Sequence, residues 1–158
     1  MMKIYFAGPL FSEAERDWIA KVKGQILATT KQAGIAITVC LPYDLIIEEE
    51  MNSLGEKAKF EIFSRCRSNL EDSDILIALL DGTQVDDGTA WEIGYFYARR
   101  APEQKIIGIR TDFRRAGECE GASVNAMVEC SCDRIVGSRE ELLETISQFF
   151  QSAGAKEH

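Results

Sequence analysis

The chain has 158 residues, 46% of them hydrophobic, a formal net charge of -8 and a sequence pI near 4.8. That composition suits one globular domain over residues 1–158 with a substantial core, and excludes a disordered chain. The acidic balance excludes a nucleic-acid polymer as partner, no apolar run is long enough for a bilayer, and a cytoplasmic protein is expected.

The opening residues, Met1 to Pro9, are too few for a signal peptide, and residues 3–8 read as a buried strand. Ser12 and Glu15 stand in capping-box spacing, followed by Trp18, Ile19, Val22, Ile26 and Leu27 at helical spacing and by Gly34 as a stop. Ile35 to Leu41 reads as a second strand ended by Pro42, and the acidic residues 43–55 as a long loop. Lys57 to Asp72 reads as a helix with an apolar stripe of Phe60, Ile62, Phe63, Cys66 and Leu70. Asp74 to Leu80 is a third strand, Thr89 to Arg100 a third helix, and Lys105 to Arg110 a fourth strand. Residues 111–131 read as loop, Arg134 to Val136 as a short fifth strand, and Ser138 with Glu141 caps a last helix through Phe150. Strands alternating with helices, each strand apolar on both faces, imply a parallel sheet between two helical layers. Five strands suggest the flavodoxin-like α/β order 2-1-3-4-5.

The single histidine is His158, so no Ser-His-Asp or Cys-His arrangement is available, nor a histidine-containing zinc site. The five cysteines contain no Cys-x-x-Cys and read as free thiols. The loop Ala7-Gly8-Pro9-Leu10-Phe11-Ser12 lacks a dinucleotide-binding glycine pattern, and no Walker-type sequence occurs, so no cofactor is expected. Catalysis must then run on carboxylates, tyrosines, cysteines, lysines or backbone groups.

The segment Asp86-Asp87-Gly88-Thr89-Ala90-Trp91-Glu92-Ile93-Gly94 follows the third strand, where open α/β sheets bind ligands. It places Glu92 in the first turn of a helix, with Asp86 and Asp87 in the preceding loop and Gly88 permitting a tight turn. Such a glutamate can simply complement the helix dipole. Three converging carboxylates would raise one another's pKa, or bind hydroxyls or a cation. Magnesium is the competing reading, but phosphate-binding partners are missing and no metal is expected. Tyr5 is a core aromatic on the first strand. If strands one and three are neighbours, its hydroxyl can point toward Glu92 and orient the carboxylate.

Ile4-Tyr5-Phe6-Ala7-Gly8-Pro9, Asp74 with its apolar strand, the Asp86 to Gly94 block and Val124-Asn125-Ala126-Met127 together resemble the nucleoside 2-deoxyribosyltransferase family, from residue 4 to about residue 128. The resemblance implies that Glu92 is a nucleophile that attacks the anomeric carbon of a 2-deoxyribonucleoside, forms a covalent deoxyribosyl intermediate and passes the sugar to another base. It further implies that Tyr5 holds the nucleophile and that Asp86 and Asn125 bind sugar hydroxyls. Asn125 would act from a neighbouring subunit, with Met127 packed nearby. Gly8, Pro9 and Gly88 complete the implied substrate-binding set, and a homo-oligomer with a shared active site is expected.

One position departs from the family pattern. Many relatives carry an aspartate, the proton donor to the base, eight positions before the strand-opening aspartate. Here that position is Cys66, with Asn69 and Glu71 on other helix faces, leaving water or Asp44 as proton sources. The terminus, Gly154 to His158, lacks the aromatic residue that some relatives fold over the site. Two alternatives stand beside base exchange. One is hydrolysis of the N-glycosidic bond of deoxynucleosides or their 5′-monophosphates, disfavoured for the phosphates by the carboxylate at Asp86, with Arg16 the only early basic residue that argues the other way. The other is a non-catalytic nucleotide-sensing module.

Overall fold

A computed structural model describes residues 1–154; the expected features at 155–158, His158 included, lie outside the described residues. Five strands, β1 (Met2–Ala7), β2 (Ile37–Cys40), β3 (Ile75–Leu79), β4 (Lys105–Ile109) and β5 (Arg134–Val136), form one parallel sheet in the order β2-β1-β3-β4-β5. The flavodoxin-like order expected from the alternation is the order found. Tyr5 pairs with Leu76 and Phe6 with Ile77, so β1 and β3 are direct neighbours.

Among the described residues, six α-helices, α1 (Glu13–Gln32), α2 (Glu48–Leu54), α3 (Ala58–Glu71), α4 (Asp87–Arg99), α5 (Ala126–Glu129) and α6 (Arg139–Gly154), connect and cover the strands. Successive strand residues point to opposite faces. Ile4, Phe6, Ile75, Ile77 and Leu79 pack with Ile19, Val22 and Ile26 of α1 and Leu142 and Ile146 of α6. Tyr5, Ala7, Leu76, Ala78 and Leu80 pack with Leu70 of α3, Ile93 and Phe96 of α4, and Val128 of α5. Among the described residues, no helix is long and apolar enough to cross a membrane.

Local signals set the ends of α1. Glu15 N–H donates to the Ser12 hydroxyl while the Glu15 carboxylate accepts from Ser12 N–H, the reciprocal box read from the spacing. Gly34 takes φ +72, a left-handed conformation that favours glycine, just past the helix end. The box at Ser138 is only half made: Glu141 N–H donates to the Ser138 hydroxyl, but the Glu141 carboxylate accepts from Gly137 N–H.

Four expectations need correction. Residues 43–55 are not an irregular loop; a 3-10 turn (Pro42–Leu45) leads into α2. Its glutamates Glu48, Glu49 and Glu50 occupy a first helical turn, where negative charge is favoured. Residues 111–131 contain α5, capped by Asn125. The stripe on α3 is mostly not core: Leu70 is buried, while Phe60 is 67% and Phe63 49% exposed. Leu27 of α1 also reaches the surface.

Candidate active site

The segment after β3 turns into α4, and Asp86 caps that helix. Its Oδ2 accepts from Thr89 N–H at 2.9 Å and from the Thr89 hydroxyl at 3.0 Å. Thr89 is buried, a polar contributor that its place in the acidic block did not single out. Because α4 starts at Asp87, Glu92 is its sixth residue and lies in the second turn. The first-turn position read from the sequence is therefore corrected, and the helix end is too far away to be the main partner of the carboxylate.

That partner comes from β1. The Tyr5 hydroxyl donates to Glu92 Oε1 at 2.5 Å. Tyr5 is fully buried, and Glu92 is mostly so. Residues 87 apart in sequence meet because β1 and β3 are adjacent and α4 packs back over them. Burial raises the Glu92 carboxyl from 4.5 to about 7; the Tyr5 hydrogen bond opposes this, and the Asp86 charge adds to it. Burial, then the nearby Glu92 charge, drives the Tyr5 phenol far upward, so it stays protonated and can only donate here. The convergence of three carboxylates is not found: Asp87 is exposed and accepts from Gly88 N–H in its own loop. Among the described residues, no group of three His, Cys, Asp or Glu side chains is placed to hold a metal ion.

Cys66 reaches the same place from α3. Burial pushes its thiol up, contact with the Tyr5 hydroxyl pulls it back, and the Glu92 charge raises it further. The position that departs from the family pattern thus lies beside the nucleophile candidate. Asp44, Glu71 and Asn69 are engaged with other partners. The Asp44 carboxylate is 2.7 Å from Lys23 Nζ, Glu71 accepts from the Tyr95 hydroxyl, and Asn69 bonds the Arg65 carbonyl. Arg65, next to Cys66, ties α3 to α2 through Glu50 and to the preceding 3-10 turn through the Leu45 carbonyl. Nothing in its local sequence marks that clasp. Arg16 donates to the Leu10 and Phe11 carbonyls, holding the loop after β1.

Gly8 and Pro9 are partly buried at the end of β1. A Cβ on Gly8 would come within 2.9 Å of Ile19 Cδ1 and 3.1 Å of Leu79 Cβ, so glycine lets α1 approach the sheet. On Gly88 it would meet Asp86 Oδ2 at 3.3 Å. Asn125 and Met127 make no hydrogen bond to Tyr5 or Glu92 among the described residues. Asn125 is exposed, accepts from Met127 N–H at 3.0 Å, donates to Glu118, and lines a cavity of about 310 Å³ with Val85 and Ala90. Met127 is 78% exposed.

Residues 4–127 match the family model for nucleoside 2-deoxyribosyltransferase. The chain belongs to the nucleoside 2-deoxyribosyltransferase family. An uncharacterised protein of Ureaplasma parvum is 31% identical over 116 residues, 72% of each chain. A conserved protein from Enterococcus faecalis superposes with a TM-score of 0.73 at 31% identity, covering 94% of this chain and 98% of that one. The 2-deoxyribosyltransferase of Bacillus psychrosaccharolyticus shares the fold with a TM-score of 0.64 at 20% identity, over 89% and 90% of the two chains. Family and fold together make the chain a transferase of the deoxyribosyltransferase type.

Proposed function

We propose that this family member exchanges the base of an unphosphorylated 2-deoxyribonucleoside through an ester formed on Glu92. The observation that carries the reading is a largely buried carboxylate, raised to about 7 and gripped by a tyrosine at 2.5 Å, at the carboxyl end of the sheet. One Glu92 oxygen attacks C1′ of the sugar. The C1′–N bond breaks, its electron pair leaves with the base nitrogen, and the base takes a proton. A nitrogen of the incoming base then attacks C1′, the ester opens, and that base loses its proton. Two inversions give net retention.

Partial charge develops on the sugar in each step, and a carboxylate in a poorly solvated site stabilises it more than water would. The Tyr5 hydrogen bond orients Glu92 and keeps its charged form accessible. Asp86 spends Oδ2 on the helix cap; Oδ1 faces no partner among the described residues and can accept from a sugar hydroxyl. A carboxylate there repels a 5′-phosphate, which favours nucleosides over their monophosphates. Cys66, with its thiol pushed up, is a weak acid at neutral pH, so the departing base draws its proton from water.

Asn125 and Met127 serve the site of a second copy of the chain in this reading. Their exposure supports it, as do the uncovered aromatics Phe60, Phe63 and Trp91 on α3 and α4. The experiment is base exchange followed by chromatography, with a deoxynucleoside and a second free base. Exchange of base without net release of sugar is expected. Sugar release independent of acceptor would mean a hydrolase instead, and bound nucleoside with no turnover a sensor.

A further inference from the structure

A second cluster of charge lies at the carboxyl ends of β4 and β5. Arg110 directly follows β4 and is 6% exposed. Its guanidinium donates to the Leu80 carbonyl, to Gly82 O at 3.2 Å and to Arg114 O at 2.8 Å. Its Nε is buried without a hydrogen-bond partner, and no carboxylate among the described residues pairs with it. Carbonyl oxygens satisfy donors but cancel no charge, and a buried cation without a counter-charge is costly.

Arg110 lines a cleft of about 280 Å³ with Asp112, Arg114, Arg115, Ser123 and Gly137. Two carboxylates stand near. Asp112 pairs with Arg114 and accepts from Gly82 N–H; Asp81 takes up Thr111 and the Asp112 N–H. Arg114 is thereby neutralised. Among the described residues, Arg115 donates to Gly121 O at 2.7 Å and pairs with no carboxylate, which leaves its charge uncancelled beside Arg110. In a chain of net charge -8, this is a local excess of positive charge around an unspent, buried N–H.

We propose that this cleft, distinct from the Tyr5–Glu92 pair, binds a phosphate group, with Arg115 as the donor and the buried, unpaired charge of Arg110 behind it. Guanidinium groups suit phosphate oxygens in geometry and charge. The cleft is larger than a phosphate ion, so a phosphate monoester fits as well as inorganic phosphate.

The test is calorimetric and phosphorus-NMR titration of the full chain at neutral pH and low salt. Inorganic phosphate is the probe in one arm and ribose 5-phosphate in the other. Saturable binding is expected in at least one arm. Tighter binding of ribose 5-phosphate assigns the cleft to monoesters, and equal binding assigns it to the phosphate group alone. Arg115→Glu should weaken binding at least tenfold, Arg110→Gln, which removes the buried charge, should do the same, and Arg99→Gln on α4 should leave it unchanged. Should Arg110→Gln fail to fold, Arg115→Glu decides by itself. Absence of saturable binding, or binding undiminished in Arg115→Glu, would overturn the proposal and leave Arg110 as a tie between loops.

Discussion

Glu92 sits where burial opposes its own charge, and that has consequences for both stability and rate. Folding raises its pKa from 4.5 to about 7, so the native chain binds this proton more tightly than the unfolded one. Stability therefore falls as pH rises across that window, with the full cost present above about 7 and none below 4.5. Glu92→Gln should stabilise the protein above pH 7 by roughly 1–3 kcal/mol, show no gain near pH 4, and lose base exchange by a factor of about 10³ or more. Thermal melts across pH, together with the exchange assay, check both halves. The attacking carboxylate must be ionised, so kcat/KM should rise with pH through an acid limb near 7. Tyr5→Phe removes the hydrogen bond that holds Glu92 down, and should move that limb to higher pH while lowering kcat. An unmoved limb would detach Tyr5 from the nucleophile.

At the scale of the element, the start of α4 does two jobs with one side chain. Asp86 caps the helix and, in the proposed reading, also receives the sugar. Asparagine caps as well as aspartate, so Asp86→Asn should keep stability within a few tenths of a kcal/mol while altering KM. Asp86→Ala loses the cap and should cost about 0.5–2 kcal/mol in denaturant unfolding. The turn after β1 answers to packing. Gly8→Ala places a methyl against Ile19 and Leu79 and should cost about 1–3 kcal/mol. The acidic stretch around Glu48 forms α2, and the ion pair between Glu50 and Arg65 joins it to α3.

For the molecule as a whole, the parallel order puts Tyr5, Cys66 and Glu92 together from three elements at one end of the sheet. It also leaves an aromatic face uncovered. Phe63 packs edge-on to Trp91, and Trp91 stacks on Tyr95, yet Phe63 and Trp91 are each close to half exposed. A contiguous exposed aromatic patch is a common mark of an association surface. Phe63→Glu should shift sedimentation toward a smaller species and, if the active site is shared between copies, reduce exchange at least tenfold with the fold intact by circular dichroism. A fully active monomer would refute the shared site.

Local periodicity and spacing were enough to determine the alternation of strands and helices, the capping box at Ser12, and the strand order, because each rests on residues close in sequence or on a general topological rule. The block around Glu92 was legible for the same reason. Tertiary structure alone decided the rest. Glu92 sits a turn deeper in its helix than expected, because Asp86 supplies the cap. Three carboxylates do not meet, because Asp87 turns outward. Cys66 stands at the Tyr5–Glu92 pair, and Phe60, Ile62 and Phe63 of the α3 stripe lie at the surface while Leu70 is buried. None of these is written in spacing, since burial and the partner of a charge are set by residues distant in sequence that only packing brings together.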